Sequence, residues 1–454
     1  MQIMKIRGGI PLRGTIEAQG AKNSVTKLIV ATLLSQQPCR FFHVPNISEV
    51  EITLALCKEL GMQIHWDQKN HILDVVTPEL KSTVIPSRFS GANRIPILLI
   101  GALLGRTYDK IIVPTVGGCN IGKRPVDLHI DALRALGAEI HVDSNSGAYI
   151  ASAPSGLKGC MIELAYPSVG ATENSILAAC KAKGSTTIKN AAVEPEIIEL
   201  IAFLQKLGVL IYLDKDRTIR IQESIHFYPV EHHLMPDRIE VASFAMAALG
   251  TQGQVFVKRA RQEDLLTFLK FYREINGGFA VTDEGIDFFY QGELKGNVLI
   301  ETEVHPGFLT DWQQPMAVLL TQCLGRSVIH ETVYENRFGY AEILKKMGAD
   351  LTLFTHCLGE KCCRFQGKNF LHSLVIAGPT RLKGCAITIP DLRAGFAYVL
   401  AALISESETT LSNLHYLDRG YENLTGKLSA LGACIELVDI KGPLELHDVP
   451  LLIT

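Results

Sequence analysis

Two hydrophobic rhythms alternate along the chain. Apolar residues at helical spacing, such as Val126, Ile130, Leu133 and Leu136 or Leu424, Leu428 and Leu431, run up to a glycine, and a strand-like alternation of apolar and polar residues follows. The phrase occurs six times: at Gly61 (Glu-Leu-Gly-Met-Gln-Ile), Gly137 (Ala-Leu-Gly-Ala-Glu-Ile), Gly208 (Lys-Leu-Gly-Val-Leu-Ile), Gly277 (Ile-Asn-Gly-Gly-Phe-Ala), Gly348 (Lys-Met-Gly-Ala-Asp-Leu) and Gly432 (Ala-Leu-Gly-Ala-Cys-Ile). Successive glycines are 76, 71, 69, 71 and 84 residues apart. A glycine between helix and strand suits the left-handed backbone in which many helices end, where a side chain would clash. One such phrase is ordinary helix-to-strand grammar. Six at a near-constant period predict a repeated unit in which a helix packs on a small sheet.

Six units divide into two groups of three, which predicts an α/β protein of two domains with a cleft between them. Residues 21–235 carry the first three repeats; residues 1–20 and 236–454 carry the other three, joined by the N-terminal strand. The chain then crosses between domains near Gly20 and again near Met235-Pro236-Asp237-Arg238, where Pro236 and Arg238-Ile239-Glu240 mark a new helix start. The longest spacing contains an insertion, 354–384, with His356, Cys357, Cys362 and Cys363. Adjacent Cys362 and Cys363 make poor zinc-knuckle spacing and no second cysteine pair follows at a matching distance, so the stretch reads as a surface insertion.

Composition narrows the partners. A chain of 454 residues is too long for one ordinary core. Its 47 % hydrophobic and 20 % charged residues are those of a globular protein. A formal net charge of -3 supplies no broad positive field, so neither nucleic acid nor an anionic membrane is expected as a partner. The 11 cysteines are scattered rather than framed as disulfides, which points to a reducing compartment, the cytoplasm. The N-terminus lacks the apolar core of an export signal, and the most apolar window, 95–105, is too short to span a bilayer.

Candidate chemistry concentrates at loop-to-helix junctions. In Gly117-Gly118-Cys119-Asn120-Ile121-Gly122-Lys123-Arg124-Pro125-Val126-Asp127-Leu128-His129 a thiol sits among glycines with two cations after it, on a loop leading into a helix. Lys123, Arg124 and the helix N-terminus would lower the thiol pKa, so Cys119 reads as a reactive residue on a mobile lid. A buried structural thiol is the bland alternative. Lys22, in Gly20-Ala21-Lys22-Asn23-Ser24, opens an apolar helix where the dipole is already positive, a position that a bound anion would compensate. Arg94, Arg337, Arg393 and Arg419 occupy similar junctions, which would ring a cleft with forks for phosphate or carboxylate. Asp311, in a Pro-, Gly- and aromatic-rich loop before another apolar helix, is either an N-cap or a general base.

Several phrases together resemble the UDP-N-acetylglucosamine 1-carboxyvinyltransferases, relatives of the enolpyruvyl-shikimate phosphate synthases. They are Gly20-Ala21-Lys22-Asn23, Gly117-Gly118-Cys119 through Arg124-Pro125-Val126-Asp127-Leu128-His129, Ser168-Val169-Gly170-Ala171-Thr172, Glu194-Pro195-Glu196, Pro236-Asp237-Arg238-Ile239-Glu240, Thr310-Asp311, Glu335-Asn336-Arg337-Phe338, Asp391-Leu392-Arg393-Ala394 and Asp418-Arg419-Gly420-Tyr421-Glu422. The resemblance covers nearly the whole chain. It implies an inside-out α/β barrel of two domains, three βαβ-type repeats in each, closing around a nucleotide sugar and then phosphoenolpyruvate. The reaction it implies is transfer of the enolpyruvyl group of phosphoenolpyruvate to the 3-hydroxyl of UDP-N-acetylglucosamine, the first committed step of peptidoglycan precursor synthesis, with no metal or organic cofactor.

By the same resemblance Lys22, Arg124 and Arg419 hold the phosphate and carboxylate of phosphoenolpyruvate, Arg393 and Arg94 add positive charge, and Cys119 protonates the methylene carbon. Asp311 orients the acceptor hydroxyl and takes its proton. Arg124, Pro125, Val126, Asp127 and Leu128 would support uracil and ribose; Ser168, Val169 and Gly170 the diphosphate; Asn23, Asp311 and Val333 the sugar, with Arg337 also in the site. The insertion, Asn120 and Lys123 depart from the family pattern. The shikimate enzymes usually carry a Pro-Gly-Asp-Lys-Ser-like phrase in place of Gly20-Ala21-Lys22-Asn23 and lack the Cys119 loop, and a non-catalytic UDP-sugar-binding paralogue would have no need of an acid and a base. The protein is expected to be a monomer or weak homo-oligomer.

Overall fold

The computed structural model describes residues 2–117, 125–335, 337–361 and 363–440. Among them, six small sheets share one plan: a parallel edge strand, a central strand, then two antiparallel strands. In residues 21–235 the sheets are Val230–His233, Cys39–Phe42, Ile72–Val76, Gln63–Asp67; then Ile111–Val113, Tyr149–Ser152, Glu139–Val142; then Met161–Glu163, Ser185–Lys189, Ile219–Gln222, Ile211–Leu213. The middle one replaces its parallel strand by a single bridge, Val84 to Ile112. The remaining three are Arg13–Glu17, Gln254–Lys258, Gly285–Tyr290, Gly277–Thr282; Leu299–Glu301, Gly325–His330, Ser373–Gly378, Asp350–Phe354; and Ala386–Thr388, Glu408–Ser412, Gln2–Arg7, Cys434–Asp439.

Two helices belong to each unit, where the repeat predicted one. The outer set includes the amphipathic helices that end at the repeat glycines. The inner set is Lys22–Ala31, Ile95–Leu104, Val169–Ala179, Arg238–Gly250, Gln313–Leu320 and Leu392–Ile404. All residues of Ile95–Leu104 and of Gln313–Leu320 are buried, because these helices pack on one another as well as on the sheets. Helices apolar all round have no stripe to reveal their period, so the apolar helices expected after Lys22, Pro236 and Asp311 and the apolar window 95–105 do not show in the sequence as members of the repeat.

Two hydrophobic cores result, one from residues between Val25 and Leu234, the other from Met4 to Ala18 together with Ile239 to Leu431. The N-terminal contribution to the second comes from two strands: Arg13–Glu17 runs parallel to Gln254–Lys258, and Gln2–Arg7 lies between Glu408–Ser412 and Cys434–Asp439. The crossings lie side by side, with Ala21 N–H donating to the Met235 carbonyl at 2.8 Å and Asp237 N–H to that of Gln19 at 2.9 Å.

Five of the six repeat glycines have positive φ, from +95° at Gly432 to +110° at Gly208. Each closes its helix with a pair of bonds, as where Gly61 N–H reaches the Lys58 carbonyl and Met62 N–H that of Cys57. Unit four differs by one residue: Asn276 takes the left-handed position with φ 69°, and Gly277 is already the first residue of its strand. Asparagine tolerates this backbone better than other side chains.

The insertion is shorter than expected. Residues 373–378 are the strand that pairs with both neighbours in its sheet, leaving 355–372 as the added connection. Among the described residues, no helix is long and apolar enough to cross a membrane.

Gly432 has no atom within 4 Å of an added Cβ, whereas a Cβ on Gly61 would meet the Glu79 carbonyl at 2.7 Å. Gly432→Ala should therefore cost only the left-handed backbone penalty, about 1–2 kcal/mol, and Gly61→Ala more. Urea denaturation midpoints of the two variants check the order.

Candidate active site

Every inner helix begins at or beside a residue singled out in the sequence. Lys22 is the first residue of Lys22–Ala31, with Asn23 next; Arg94 caps Ile95–Leu104; Ser168 caps Val169–Ala179, its Oγ accepting from Ala171 N–H at 3.4 Å. Arg238 follows the Asp237 cap of Arg238–Gly250, Asp311 stands in a 3-10 turn just before Gln313–Leu320, and Arg393 is the second residue of Leu392–Ile404. A helix N-terminus carries unpaired N–H groups and partial positive charge, so the repeat gathers six ends that favour anions.

The anion expected at Lys22 is partly supplied by the protein, since Lys22 N–H donates to Asp237 Oδ2 at 3.2 Å. Arg419 reaches from the second core to the first, donating from Nε and Nη2 to Oε2 of Glu49 at 3.1 and 2.8 Å and from Nη2 to the Ala92 carbonyl at 3.3 Å. Burial pushes the Glu49 carboxyl up, but the charges of Lys22 and Arg419 outweigh it and hold the group below its ordinary value. Lys22, Arg419 and the loop before Arg94 therefore meet around one buried carboxylate.

Asp311 joins two more cations. Its Oδ1 accepts from Arg337 Nη2, and its Oδ2 lies 3.3 Å from Arg393 Nε. The N-cap reading of Asp311 does not survive: Leu309 and Trp312 occupy the cap positions of the turn and of the helix, and neither segment has a side-chain cap. Arg393 is buried; desolvation lowers its pKa, but Asp311 and then Tyr421 more than offset that and raise it.

Behind Asp311 a buried carboxylate, Glu331, organises the loop of Val333 and Arg337. It accepts from Thr310 Oγ1 at 2.8 Å, Gln313 Nε2 at 3.1 Å, Val333 N–H at 2.8 Å and Tyr334 N–H at 3.0 Å. Arg337 Nε in turn donates to Thr310 Oγ1 at 3.3 Å.

Pro125, Val126, Asp127 and Leu128 form the start of helix Asp127–Ala135, and Ser168, Val169 and Gly170 lie beside it: a Cβ on Gly170 would come within 2.9 Å of the His129 ring. The two segments assigned to the nucleotide are thus neighbours. Cys119 and Arg124 lie outside the described residues. The stem leading to them is anchored near Arg94, Gly117 N–H donating to the Asn93 carbonyl at 2.9 Å and Gly91 N–H to that of Thr115 at 3.0 Å.

Sequence reasoning passed over Glu49, Asp237 and Glu331 as site residues. Glu49 is an acidic residue in the first turn of Ser48–Glu59, where a carboxylate is expected for the dipole alone, and Asp237 caps its helix through Ile239 and Glu240 N–H. Neither carries a mark that separates the two roles.

The cores are also pinned by a bidentate pair, Arg238 Nε and Nη2 to the two oxygens of Glu196, both at 3.0 Å and both side chains buried. Close by, His305 N–H donates to Glu194 at 3.4 Å and the His305 carbonyl accepts from Arg217.

Comparison with known proteins identifies the fold and the family. Two solved structures share the fold: the enolpyruvyl transferase NikO from Streptomyces tendae, TM-score 0.84 at 22 % identity over 96 % of this chain and 98 % of that one, and EPSP synthase from Acinetobacter baumannii, TM-score 0.76 at 16 % over 97 % and 100 %. The fold is therefore that of the enolpyruvyl transferases. The family model of EPSP synthase (3-phosphoshikimate 1-carboxyvinyltransferase) matches residues 6–428. Relatives named UDP-N-acetylglucosamine 1-carboxyvinyltransferase are 59 % identical in Protochlamydia amoebophila (strain UWE25), over 97 % of this chain and 95 % of the relative, and 53 % identical in Chlamydia pneumoniae, over 97 % and 96 %. UDP-N-acetylglucosamine 1-carboxyvinyltransferase 1 of Staphylococcus aureus (strain N315) is 37 % identical over 97 % and 100 %. The chain belongs to the EPSP synthase family and, within it, to the UDP-N-acetylglucosamine 1-carboxyvinyltransferases.

Burial, and then the charge of Arg238, lower the His305 pKa to about 4 from an ordinary 6.5. Between those values the unfolded chain binds more protons than the folded one, so this residue's contribution is present above pH 6.5 and is lost as pH falls toward 4. His305→Gln should lose less stability than the parent between pH 7 and pH 4.5, read as the shift in urea midpoint; equal shifts would remove His305 from the acid response.

Proposed function

We propose that the protein transfers the carboxyvinyl group of phosphoenolpyruvate to the 3-hydroxyl of UDP-N-acetylglucosamine and releases phosphate. The observation that carries this reading is the gathering of Lys22 and Arg419 around Glu49, beside the loop that leads to Arg94, and of Arg393 at Asp311; Lys22, Arg94 and Arg393 stand at the starts of inner helices, and Arg419 closes the short helix His415–Asp418. A substrate bearing phosphate and carboxylate suits several cations at once. The division into domains 1–20 with 236–454 and 21–235, and work in the cytoplasm, belong to the same reading.

In this scheme Cys119 gives a proton to the methylene carbon of phosphoenolpyruvate while the sugar 3-oxygen bonds to the adjacent central carbon and its proton passes to Asp311. Loss of a proton from the new methyl group then expels phosphate and forms the enol ether. Lys22, Arg124 and Arg419 hold the phosphate and carboxylate, with Arg94 and Arg393 adding charge. Arg419 now bonds Glu49, so the incoming anion takes over or shares that arginine. Asp311 likewise holds Arg337 and Arg393, and the acceptor hydroxyl must share it with them. The nucleotide lies along Arg124, Pro125, Val126, Asp127 and Leu128, the diphosphate at Ser168, Val169 and Gly170, and the sugar against Asn23 and Val333.

Phosphate release from phosphoenolpyruvate should require UDP-N-acetylglucosamine. Release with shikimate 3-phosphate instead would assign another acceptor, and nucleotide-sugar binding without release would make the protein a binder. Cys119→Ser should abolish turnover and keep nucleotide-sugar binding, measured by calorimetry. Asp311→Asn should lower kcat by about 10²- to 10⁴-fold, the usual contribution of a positioned base; an unchanged kcat would end its assignment as one.

A further inference from the structure

The inserted connection 355–372 gathers four side chains that the sequence keeps apart. The ligand atoms of His330, Cys357, Cys363 and His372 all lie within 4.8 Å of one another, and His330, Cys363 and His372 are buried. His356 is not among them, and Cys362 lies outside the described residues. We propose that these four residues bind a structural Zn²⁺ ion in tetrahedral Cys2His2 coordination.

The sheet sets the geometry. His330 ends the strand Gly325–His330 directly opposite Ser373, and Phe354 ends the next strand but one opposite the same residue. His372 precedes Ser373, and Cys357 follows Phe354 by three residues, so both chains turn toward one point at the sheet end. Zinc bonds of about 2.3 Å to sulfur and 2.0–2.1 Å to nitrogen put ligand atoms roughly 3.3–3.8 Å apart in a tetrahedron. Cys357 Sγ and His372 Nε2 already stand 3.3 Å apart.

Hydrogen bonds outside the cluster fix which nitrogens are available. His372 Nδ1 lies 2.7 Å from the Phe370 carbonyl, which can only accept, so Nδ1 carries the proton and Nε2 keeps its lone pair. Ser373 spends its proton on the His356 carbonyl at 2.8 Å, so it accepts from His330 Nδ1 at 2.9 Å and leaves His330 Nε2 with a lone pair too. That Nε2 is buried with no hydrogen-bond partner, an uncommon state for a polar atom. Phe365 N–H donates to Cys363 Sγ at 3.3 Å and orients the sulfur. Histidines oriented by partners on their other nitrogen are the usual setting of zinc ligands. Two thiolates and Zn²⁺ sum to no net charge, which keeps the cost of burying the ion low.

Two contacts fit the loop to this purpose. Gly359 passes so close to the site that a Cβ would meet Glu301 Oε1 at 2.1 Å and His330 Cδ2 at 2.4 Å. Arg364, next to Cys363, donates to the Val333 carbonyl and lies 5.1 Å over the Tyr166 ring, two residues before Ser168. The site thus holds the insertion where it braces both sides of the cleft. The metal assignment stands apart from the catalytic reading.

Full-length protein loaded with Zn²⁺ and dialysed against metal-free buffer should retain one zinc per chain by elemental analysis. Cys363→Ser and His330→Ala should each cut that occupancy at least tenfold, and Cys434→Ser, at an exposed site elsewhere, should not. Because loss of a ligand can itself prevent folding, the unaltered protein is also loaded with Co²⁺. Intense tetrahedral d–d bands with thiolate charge transfer are expected. Substoichiometric zinc, a weak octahedral cobalt spectrum, a Cys357–Cys363 disulfide in the zinc-loaded protein under reducing conditions, or folded Cys363→Ser with full zinc would each overturn the site.

Discussion

Lys22 and Arg419 meet around Glu49 where the two cores join, Arg337 and Arg393 meet at Asp311, and like charges gathered in partly buried places repel unless something neutralises them. Asp311 neutralises Arg337 and Arg393 from within the second core, and other contacts cross the junction. Glu49 of the first core holds Arg419 of the second, Asp237 of the second receives the N–H of Lys22, and Glu196 of the first grips Arg238 of the second. Arg419 is therefore both a cation suited to a substrate and one that holds the halves together. An anion entering the cleft exchanges one ion pair for another, which keeps desolvation costs comparable before and after binding.

The extent to which this was legible in the sequence follows from what each element needs. A helix end in left-handed backbone needs a particular residue, so the six junctions could be read, and even the exception at Asn276 and Gly277 sits one residue away for a reason of backbone geometry. The inner helices need only to be apolar, and a uniformly apolar helix has no phase, so several of their starts could be read but not their place in the repeated unit. Lys22, Arg94, Arg393 and Arg419 were marked by standing at loop-to-helix junctions. Glu49, Asp237 and Glu331 were not, because a carboxylate in a first turn, at a cap or at a strand end has a sufficient local explanation in each case. Asp311 shows the converse: its capping role was plausible from sequence and is excluded by the turn that precedes the helix. Cys357, Cys362 and Cys363 were visible as a cluster beside His356, but His330 and His372 join Cys357 and Cys363 through strand pairing, which spacing along the chain does not reveal.

The buried helices explain why such a site can be built by repetition. Each helix is fixed by packing along its length, so the position of its first turn is set by the core rather than by a surface loop. Six ends then deliver partial positive charge before any side chain is chosen, and short changes in the junctions tune the rest: a lysine at the first, arginines at the second, fourth and sixth, a serine cap at the third and an aspartate ahead of the fifth. The fifth is the exception in charge and also in support. Its inner helix is the shortest at eight residues, its carboxylate is held by Arg337 and Arg393, and its loop is organised by Glu331. The same unit carries the insertion, whose Arg364 bonds the Val333 carbonyl. A connection of this length loses conformational entropy when ordered, and it has few apolar side chains with which to recover it. Coordination by a histidine at a strand end, a histidine just before the next strand and two loop cysteines supplies that compensation, and Arg364 carries it to the loop of Val333 beside the acidic residue.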